Sequence, residues 1–243
     1  MKSQTVQKIL EQTKNDYDTI ASDFDCTRRW LWPGLDDFKN YVKAGDRILD
    51  LGCGNGKLRL LFKDINLEYI GLDNSQKLLA IAESDSKFKI ANQKFIKADV
   101  TPLSFPDNYF DVVFFIAVFH HIPSDQLRQQ TLEEIRRVLK PGGILVMANW
   151  NHWRKEHLHY IIKYTWLKMI SKSDLDFKDI FLPWMGGKVK RYFHAFTLGE
   201  LKRLINKSGL KLEGNFLSYW DNKNKSKFNY LGTSNLVTIA RKC

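Results

Sequence analysis

The chain has little cysteine. Cys26, Cys53 and Cys243 are its only three, they lie far apart, and none forms a Cys-x-x-Cys pair. That excludes a secreted disulfide framework and a thiolate zinc site, so no metal is expected and a reducing, cytoplasmic setting is. Long hydrophobic runs are missing as well: the longest, Val112 to Phe119, falls far short of the roughly 20 apolar residues that span a bilayer. The N-terminal stretch from Met1 to Tyr17 has no apolar signal core, so no membrane partner is expected. Acid is scarce relative to base, 27 Asp and Glu against 38 Lys and Arg, for a formal net charge of +11. Such an excess raises the local concentration of polyanions, although a lysine-rich proteome would produce the same balance. There is no internal repeat.

What is present is enough for one ordinary domain, with 243 residues, 44% of them hydrophobic, and a core that needs no staple. From Arg47 onward, short apolar runs alternate with helical stretches, the mark of strand-helix-strand units and a mostly parallel sheet. The pattern predicts strands over about 47–52, 68–73, 94–98, 111–117 and 143–149, with helices near 56–64, 75–84 and 125–139. Ser124 is the expected N-cap of the last of these helices, and Pro141-Gly142-Gly143 stops it. The Thr197-x-x-Glu200 spacing reads as a capping box for a helix to about Lys207, ended by Gly209. Runs near 211–219 and 234–241 read as a closing β-hairpin, with a polar, solvated loop at Asp221 to Lys227.

The expected organisation is a single domain over 1–243: an N-terminal cap (1–45), a ligand-binding core (46–150), an inserted lid segment (151–196), and a closing helix and hairpin (197–243). Inside the inserted segment, His157 to Lys168 is basic and aromatic. It reads as an amphipathic lid helix with lysines turned outward, or as an RNA-facing or membrane-surface helix.

The strongest local signal is Ile48-Leu49-Asp50-Leu51-Gly52-Cys53-Gly54-Asn55-Gly56, a strand entering a glycine-rich turn. Gly52, Gly54 and Gly56 permit a tight turn and a close approach of backbone to ligand. The Gly-x-Gly-x-Gly spacing differs from the Gly-x-Gly-x-x-Gly of dinucleotide sites, and Asp50 beside it suits a cationic amino-acid ligand better than a diphosphate. Asp73 ends the second strand, followed by Asn74, where a carboxylate can accept from both ribose hydroxyls or cap the next helix. Asp99 and Val100 end the third strand, where the carboxylate can take an adenine amino group or sit in a surface turn. Ala117 follows the fourth strand.

The order of these signals over residues 46–150 resembles the class I S-adenosylmethionine-dependent methyltransferases. A narrower resemblance rests on Tyr17-Asp18-x-Ile20-Ala21-x-x-Phe24-Asp25-x-Thr27-Arg28 with Trp32-Pro33, on Ala117-Val118-x-His120-His121, and on Arg137-Val138-Leu139-x-Pro141-Gly142-Gly143. Pro183-Trp184 and Arg191-Tyr192-x-His194-x-Phe196 complete it. Together these resemble the tRNA wobble-uridine carboxymethyl methyltransferases, which esterify 5-carboxymethyluridine in the anticodon. Two positions depart from the family pattern, Leu236 in place of an aromatic and Phe193 in place of a second tyrosine.

The resemblance implies an α/β, Rossmann-like fold: a seven-stranded, mostly parallel sheet with an antiparallel closing strand, helices on both faces, and N-terminal and inserted caps. It implies S-adenosyl-L-methionine as cofactor, held by Asp50, Gly52, Gly54, Gly56, Asp73, Asn74, Asp99, Val100 and Ala117. It further implies the anticodon region of a tRNA as substrate, with a small activator subunit as a possible partner.

Methyl transfer to a carboxylate needs aim rather than a base, because the free acid, with a pKa of about 4, is already ionised near neutrality. Arginine suits that task, since its planar fork pairs with carboxylates and phosphates. Arg28 or Arg29 and Arg191 are the expected clamps, with solvated surface charges the alternative for the Arg28-Arg29 pair. His120 and His121 are expected to face the methyl or to cap the next helix, and His194 to touch uridine or phosphate. Tyr17, Trp30 and Tyr192 either stack on the base or wall the pocket. Two other functions remain compatible with the motifs: a small-molecule O- or C-methyltransferase, and a non-catalytic RNA-binding or activator protein of the same fold.

Overall fold

The computed structural model describes residues 1–28, 31, 35–85, 89–219 and 234–243. Arg29, Trp30, Trp32, Pro33 and the loop from Asp221 to Lys227 lie outside the described residues. The chain begins with two helices, α1 (Ser3–Thr19) and α2 (Ala21–Thr27), and a short 3-10 turn at Asp36–Tyr41. Strand and helix then alternate through β1 (Arg47–Leu51), β2 (Glu68–Asp73), α3 (Gln76–Ser84), β3 (Asn92–Lys97), β4 (Phe110–Ile116), α4 (Asp125–Val138) and β5 (Leu139–Trp150). The inserted segment holds α5 (Lys155–Met169), β6 (Asp179–Trp184) and β7 (Val189–His194). The chain closes with α6 (Leu198–Lys207), β8 (Lys211–Tyr219) and β9 (Ser234–Arg241).

Seven strands form one sheet in the order β3-β2-β1-β4-β5-β9-β8, with β1 to β5 parallel; β9 runs antiparallel to both its neighbours. The antiparallel strand therefore lies inside the sheet and β8 forms the edge. Strand periodicity divides the core in two. Leu49, Val113, Leu145 and Met147 face α4 and α6, meeting Leu132, Ile135, Leu201 and Leu204. Ile48, Val112, Phe114 and Val146 face the opposite way, against Phe38, Leu58 and Phe62. Both faces of β1 and β4 are covered, which is why these strands read as continuous apolar runs.

Local signals act largely as their chemistry dictates. Ser124 Oγ accepts from Leu127 N–H at 3.2 Å and caps α4, and Gly209, at φ +79°, ends α6. Four expectations change. Pro141-Gly142-Gly143 does not stop α4 ahead of a strand over 143–149: α4 ends at Val138 and the three residues lie inside β5, which begins at Leu139. Residues 57–62 form a 3-10 turn rather than a helix over 56–64, because Gly56 enters it in the left-handed region and supplies no capping side chain. The capping box is only half formed: Thr197 Oγ1 accepts from Glu200 N–H at 3.2 Å, but the Glu200 carboxylate is taken by His194 Nε2 at 2.9 Å and Lys178 Nζ at 3.0 Å. The β6–β7 hairpin, a separate two-stranded sheet, has no counterpart among the elements expected from sequence.

The chain order reverses between β1 and β4, which are neighbours while β2 and β3 lie beyond β1. In such sheets a crevice opens at the carboxyl ends of the strands on either side of the reversal.

Candidate active site

A cavity of about 200 Å³ occupies that crevice. Its floor is the β1 turn. Gly52 has φ +75°, and a Cβ there would stand 2.4 Å from Val118 Cγ2, so only glycine lets the turn pass beneath the end of β4. Gly52 N–H and Cys53 N–H both donate to the Leu72 carbonyl, at 2.7 and 2.9 Å. Gly54 N–H donates to Asp73 Oδ2 and Ser75 N–H to Asp73 Oδ1, each at 2.8 Å. Asp73 is thus aimed by backbone, while the cap of α3 is Ser75, whose Oγ accepts from Leu78 N–H at 3.2 Å. Each carboxylate oxygen of Asp73 retains a second acceptor site.

Asp50 and Asp73 both line the cavity. Burial pushes the Asp50 carboxyl up to about 7 despite the hydrogen bond donated by the Tyr69 hydroxyl, with the charge of Asp73 adding to the rise. Burial likewise raises Asp73, against the backbone N–H groups that favour its ionised form. Two desolvated carboxylates at one end of a cavity are relieved by a cationic ligand. With the glycine cradle beside them, these residues fit the amino-acid and ribose portions of S-adenosylmethionine. Asn74, Val100 and Ala117 line the same end. Asp99 is exposed and outside the lining, tied at the rim by Asn74 Nδ2–H to its Oδ1 at 3.0 Å. Gly56 is also outside it; a Cβ there would sit 3.0 Å from the Phe95 ring, so this glycine serves packing.

The other end is built from distant segments. Tyr17 and Arg28, from α1 and the end of α2, and His121 and Trp150, from the ends of β4 and β5, all line it. Tyr17 Oη and His121 Nε2 lie 2.8 Å apart, and His121 Nδ1 is 2.8 Å from the Tyr192 carbonyl. A carbonyl only accepts, so His121 carries its proton on Nδ1 and takes the Tyr17 hydroxyl hydrogen at Nε2. Burial, reinforced by the nearby Arg191 charge, lowers His121 to about 3, so the ring is neutral at physiological pH. The guanidinium carbons of Arg28 and Arg191 lie 5.7 and 5.5 Å from the Trp150 ring centre. Arg191, on β7, is 5% exposed and also contacts the rings of Trp184 and Phe193.

The expected acceptor residues are therefore only partly brought together. Arg28 and His121 reach the cavity, and Arg191 stands behind Trp150. His120 is fully buried behind the same ring, its Nδ1 accepting from Trp150 N–H at 3.3 Å. His194 is not positioned for substrate: its nitrogens are bound to Asp179 Oδ1 at 2.6 Å and Glu200 Oε1 at 2.9 Å, within a buried network that includes Arg128. Tyr192 turns the same way, its hydroxyl accepting from Arg128 at 3.0 Å. Strand alternation is the cause, sending Arg191 and Phe193 to one face of β7 and Tyr192 and His194 to the other. Arg29 lies outside the described residues.

Helix α5 packs Ile161 onto the hairpin and lines no part of the cavity, so it is not the lid expected from its composition. The cover comes from α1 and α2. Ser75 Oγ–H donates to Asp18 at 2.7 Å, and Asn55 Nδ2–H to Asp25 at 2.7 Å, tying this cover to the loops after β2 and β1.

Residues 49–147 match a family model described as a methyltransferase domain. A methyltransferase-named protein of Encephalitozoon cuniculi is 30% identical over 199 residues, covering 81% of this chain and 85% of that protein. The chain belongs to the class I S-adenosylmethionine-dependent methyltransferases. An Arabidopsis thaliana tRNA (carboxymethyluridine(34)-5-O)-methyltransferase is 35% identical to this methyltransferase over 134 residues, 55% of the chain, which spans only 31% of that relative's length. Among solved structures, an S-adenosylmethionine-dependent methyltransferase from Methanosarcina mazei matches with TM-score 0.67 at 24% identity, over 84% of this chain and 96% of that one. A Haloferax volcanii complex of the Trm112 methyltransferase activator with a methyltransferase matches with TM-score 0.61 at 19% identity, over 93% and 97% of the two chains. S-Adenosylmethionine is accordingly the cofactor of this methyltransferase.

Among the described residues no group of three or more His, Cys, Asp or Glu side chains is arranged to hold a metal, and no helix is long and apolar enough to cross a membrane. Leu10, Thr13 and Trp150 also line the cavity without having been singled out from sequence. Their signal is weak, since apolar and aromatic residues on a helix or at a strand end read as ordinary core.

Proposed function

We propose that this methyltransferase esterifies the carboxylate of 5-carboxymethyluridine at the wobble position of a tRNA anticodon. The observation that carries the reading is the Arg28 guanidinium in the cavity lining beside Trp150, with the Arg191 guanidinium at the same ring behind the lining. When bound, S-adenosylmethionine supplies a methyl group on a cationic sulfonium. Asp50 and Asp73 hold its cationic and hydroxyl-bearing parts, and Gly52, Gly54, Asn74, Val100 and Ala117 shape the seat. Arg28 holds the acceptor carboxylate and orients one oxygen, a contribution that in favourable cases reaches on the order of 7 kcal/mol, and Arg191 adds its positive charge from behind the Trp150 ring. No residue abstracts a proton, because the acceptor is already an anion, and neutral His121 with Tyr17 leaves its charge to the arginines. The covering α1 and α2 exclude water, which strengthens each of these charge contacts.

The name of the Arabidopsis relative supports the tRNA substrate, and the Haloferax complex supports a small activator subunit as a partner. The test is incubation of carboxymethylated tRNA with the protein and isotopically labelled cofactor, alone and with an activator, followed by mass spectrometry of the nucleosides. A labelled methyl ester on the wobble uridine is expected. Cofactor binding without that ester would transfer the activity to a small-molecule acceptor.

A further inference from the structure

Helices α1 and α2 cover the cavity with little apolar anchorage of their own. Within them only Ile9 and Ala21 are buried, with Ile20 between the two helices. Elements with so few buried apolar contacts open at a lower free energy than the core. The cover is held instead by polar contacts, and these are arranged in pairs. On α1, Asp18 Oδ1 accepts from Ser75 Oγ–H at 2.7 Å and from Lys77 N–H at 3.2 Å, so a residue distant in sequence helps to cap α3. Its neighbour Tyr17, about 100° around the helix, lines the cavity and reaches His121 instead. On α2, Asp25 Oδ1 accepts from Asn55 Nδ2–H at 2.7 Å, in the glycine turn after β1. Arg28, at the end of the same helix, lines the cavity beside Trp150.

Each cover helix thus carries one carboxylate docked on a turn of the cofactor seat and, within three residues, one side chain that lines the cavity with His121 and Trp150. Neither Asp18 nor Asp25 lines the cavity itself. They act through the turns: Ser75 donates its N–H to Asp73 and its hydroxyl to Asp18, and Asn55 is a lining residue of the seat. Seating of the cofactor on these turns fixes the donors on which both carboxylates dock. Preorganised donors strengthen both ties, and by linkage a closed cover strengthens cofactor binding in return.

We propose that the α1–α2 cover closes in response to the cofactor, and that Asp18 and Asp25 are the positioning residues that carry occupancy of the cofactor seat to Tyr17 and Arg28. The inference rests on the cofactor alone and holds whichever acceptor is methylated.

The experiment is amide hydrogen exchange on the whole protein, with and without saturating S-adenosylhomocysteine. Without it, the amides of α1 and α2 are expected to exchange faster than those of α4, as a cover that opens apart from the core requires. With it, they are expected to slow by about tenfold or more. In a protein carrying both Asp18→Leu and Asp25→Leu, calorimetry should still detect S-adenosylhomocysteine, bound about tenfold more weakly, while the slowing in α1 and α2 is lost. Asp18→Asn with Asp25→Asn keeps an accepting oxygen at both places and should restore most of it. Helices merely packed over the cavity would answer the ligand alike in all three proteins, and that result overturns the proposal. So do α1 and α2 amides that exchange no faster than those of α4 in the free protein, or that are indifferent to the ligand, and both are read from the wild type whether or not a variant folds. None of these measurements involves an acceptor, so failure of the wobble-uridine reading leaves them standing.

Discussion

The two ends of the cavity differ in charge and in how the chain builds them. The cofactor end is acidic and local: Asp50, Gly52 and Gly54 come from one strand and its turn, and Asp73 and Asn74 from the adjacent strand, paired with it in register from Arg47–Glu68 to Leu51–Leu72. The other end is basic and dispersed, drawing Arg28 from the end of α2, His121 from the turn after β4 and Trp150 from β5, with Arg191 of β7 behind the Trp150 ring. On the proposed function, opposite charges at the two ends match a cationic donor and an anionic acceptor. The difference teaches that the acidic end is a property of the sheet, while the basic end is a property of what has been added to it.

That division is testable by damaging one end at a time. The largest effect is expected from Arg191→Ala, which leaves an anionic acceptor without its buried cation. Turnover on tRNA should fall on the order of 100-fold or more, the range for loss of a preorganised charge at a reacting site, with cofactor affinity unchanged by calorimetry. Arg191→Lys should recover little, because a point charge does not replace the fork. A parallel loss of cofactor binding would show that the two ends are not separable.

Gly52→Ala attacks the other side. The added Cβ meets Val118 at 2.4 Å in a left-handed backbone, a strain of about 2–3 kcal/mol, so cofactor affinity should weaken by roughly 30- to 140-fold. Asp73→Ala removes a charged acceptor and frees Gly54 N–H and Ser75 N–H. A loss of about 1.5–3 kcal/mol in cofactor binding is expected, with KM for tRNA unaltered at saturating cofactor. Unchanged cofactor affinity in either variant would remove that residue from the donor seat.

The same contrast explains what could be read from the sequence. Every strand of the large sheet left a local trace, because β1 and β4 are apolar on both faces and the Gly52 to Gly56 turn has no common structural substitute. Asp50 and Asp73 were legible for the same reason, as charges at predictable strand ends. The acceptor end gave no such trace. Arg191 and His194 stand in one motif yet fall on opposite faces of β7, a separation visible only once the hairpin is recognised. Composition pointed to α5 as a lid, whereas α1 and α2 cover the cavity through Tyr17, Asp18 and Asp25, polar contacts over long sequence distances that no period encodes. Glu200 shows the competition directly: the spacing promises a capping box, and the buried His194 and half-buried Lys178 claim the carboxylate.

The smallest expected effect concerns pH and sharpens the account of the acidic end. Burial raises the Asp50 carboxyl from 3.8 to about 7 in the protein without cofactor. The folded chain therefore binds a proton that the unfolded chain releases between these values. Its contribution to stability is complete below about pH 4 and disappears as the pH rises through 7. A cationic ligand favours the ionised carboxylate, so cofactor affinity should run in the opposite sense, rising by up to about tenfold from pH 6 to 8 and levelling above. Calorimetry at pH 6, 7 and 8, in buffers of different ionisation enthalpy, should register proton release on binding near pH 6.5. Asp50→Asn should abolish that release and flatten the affinity profile, while also removing the decline in thermal midpoint of the cofactor-free protein between pH 5 and 8. A wild-type affinity that does not change over this range would place the cofactor's positive charge away from Asp50 and leave Asp73 to hold that end alone.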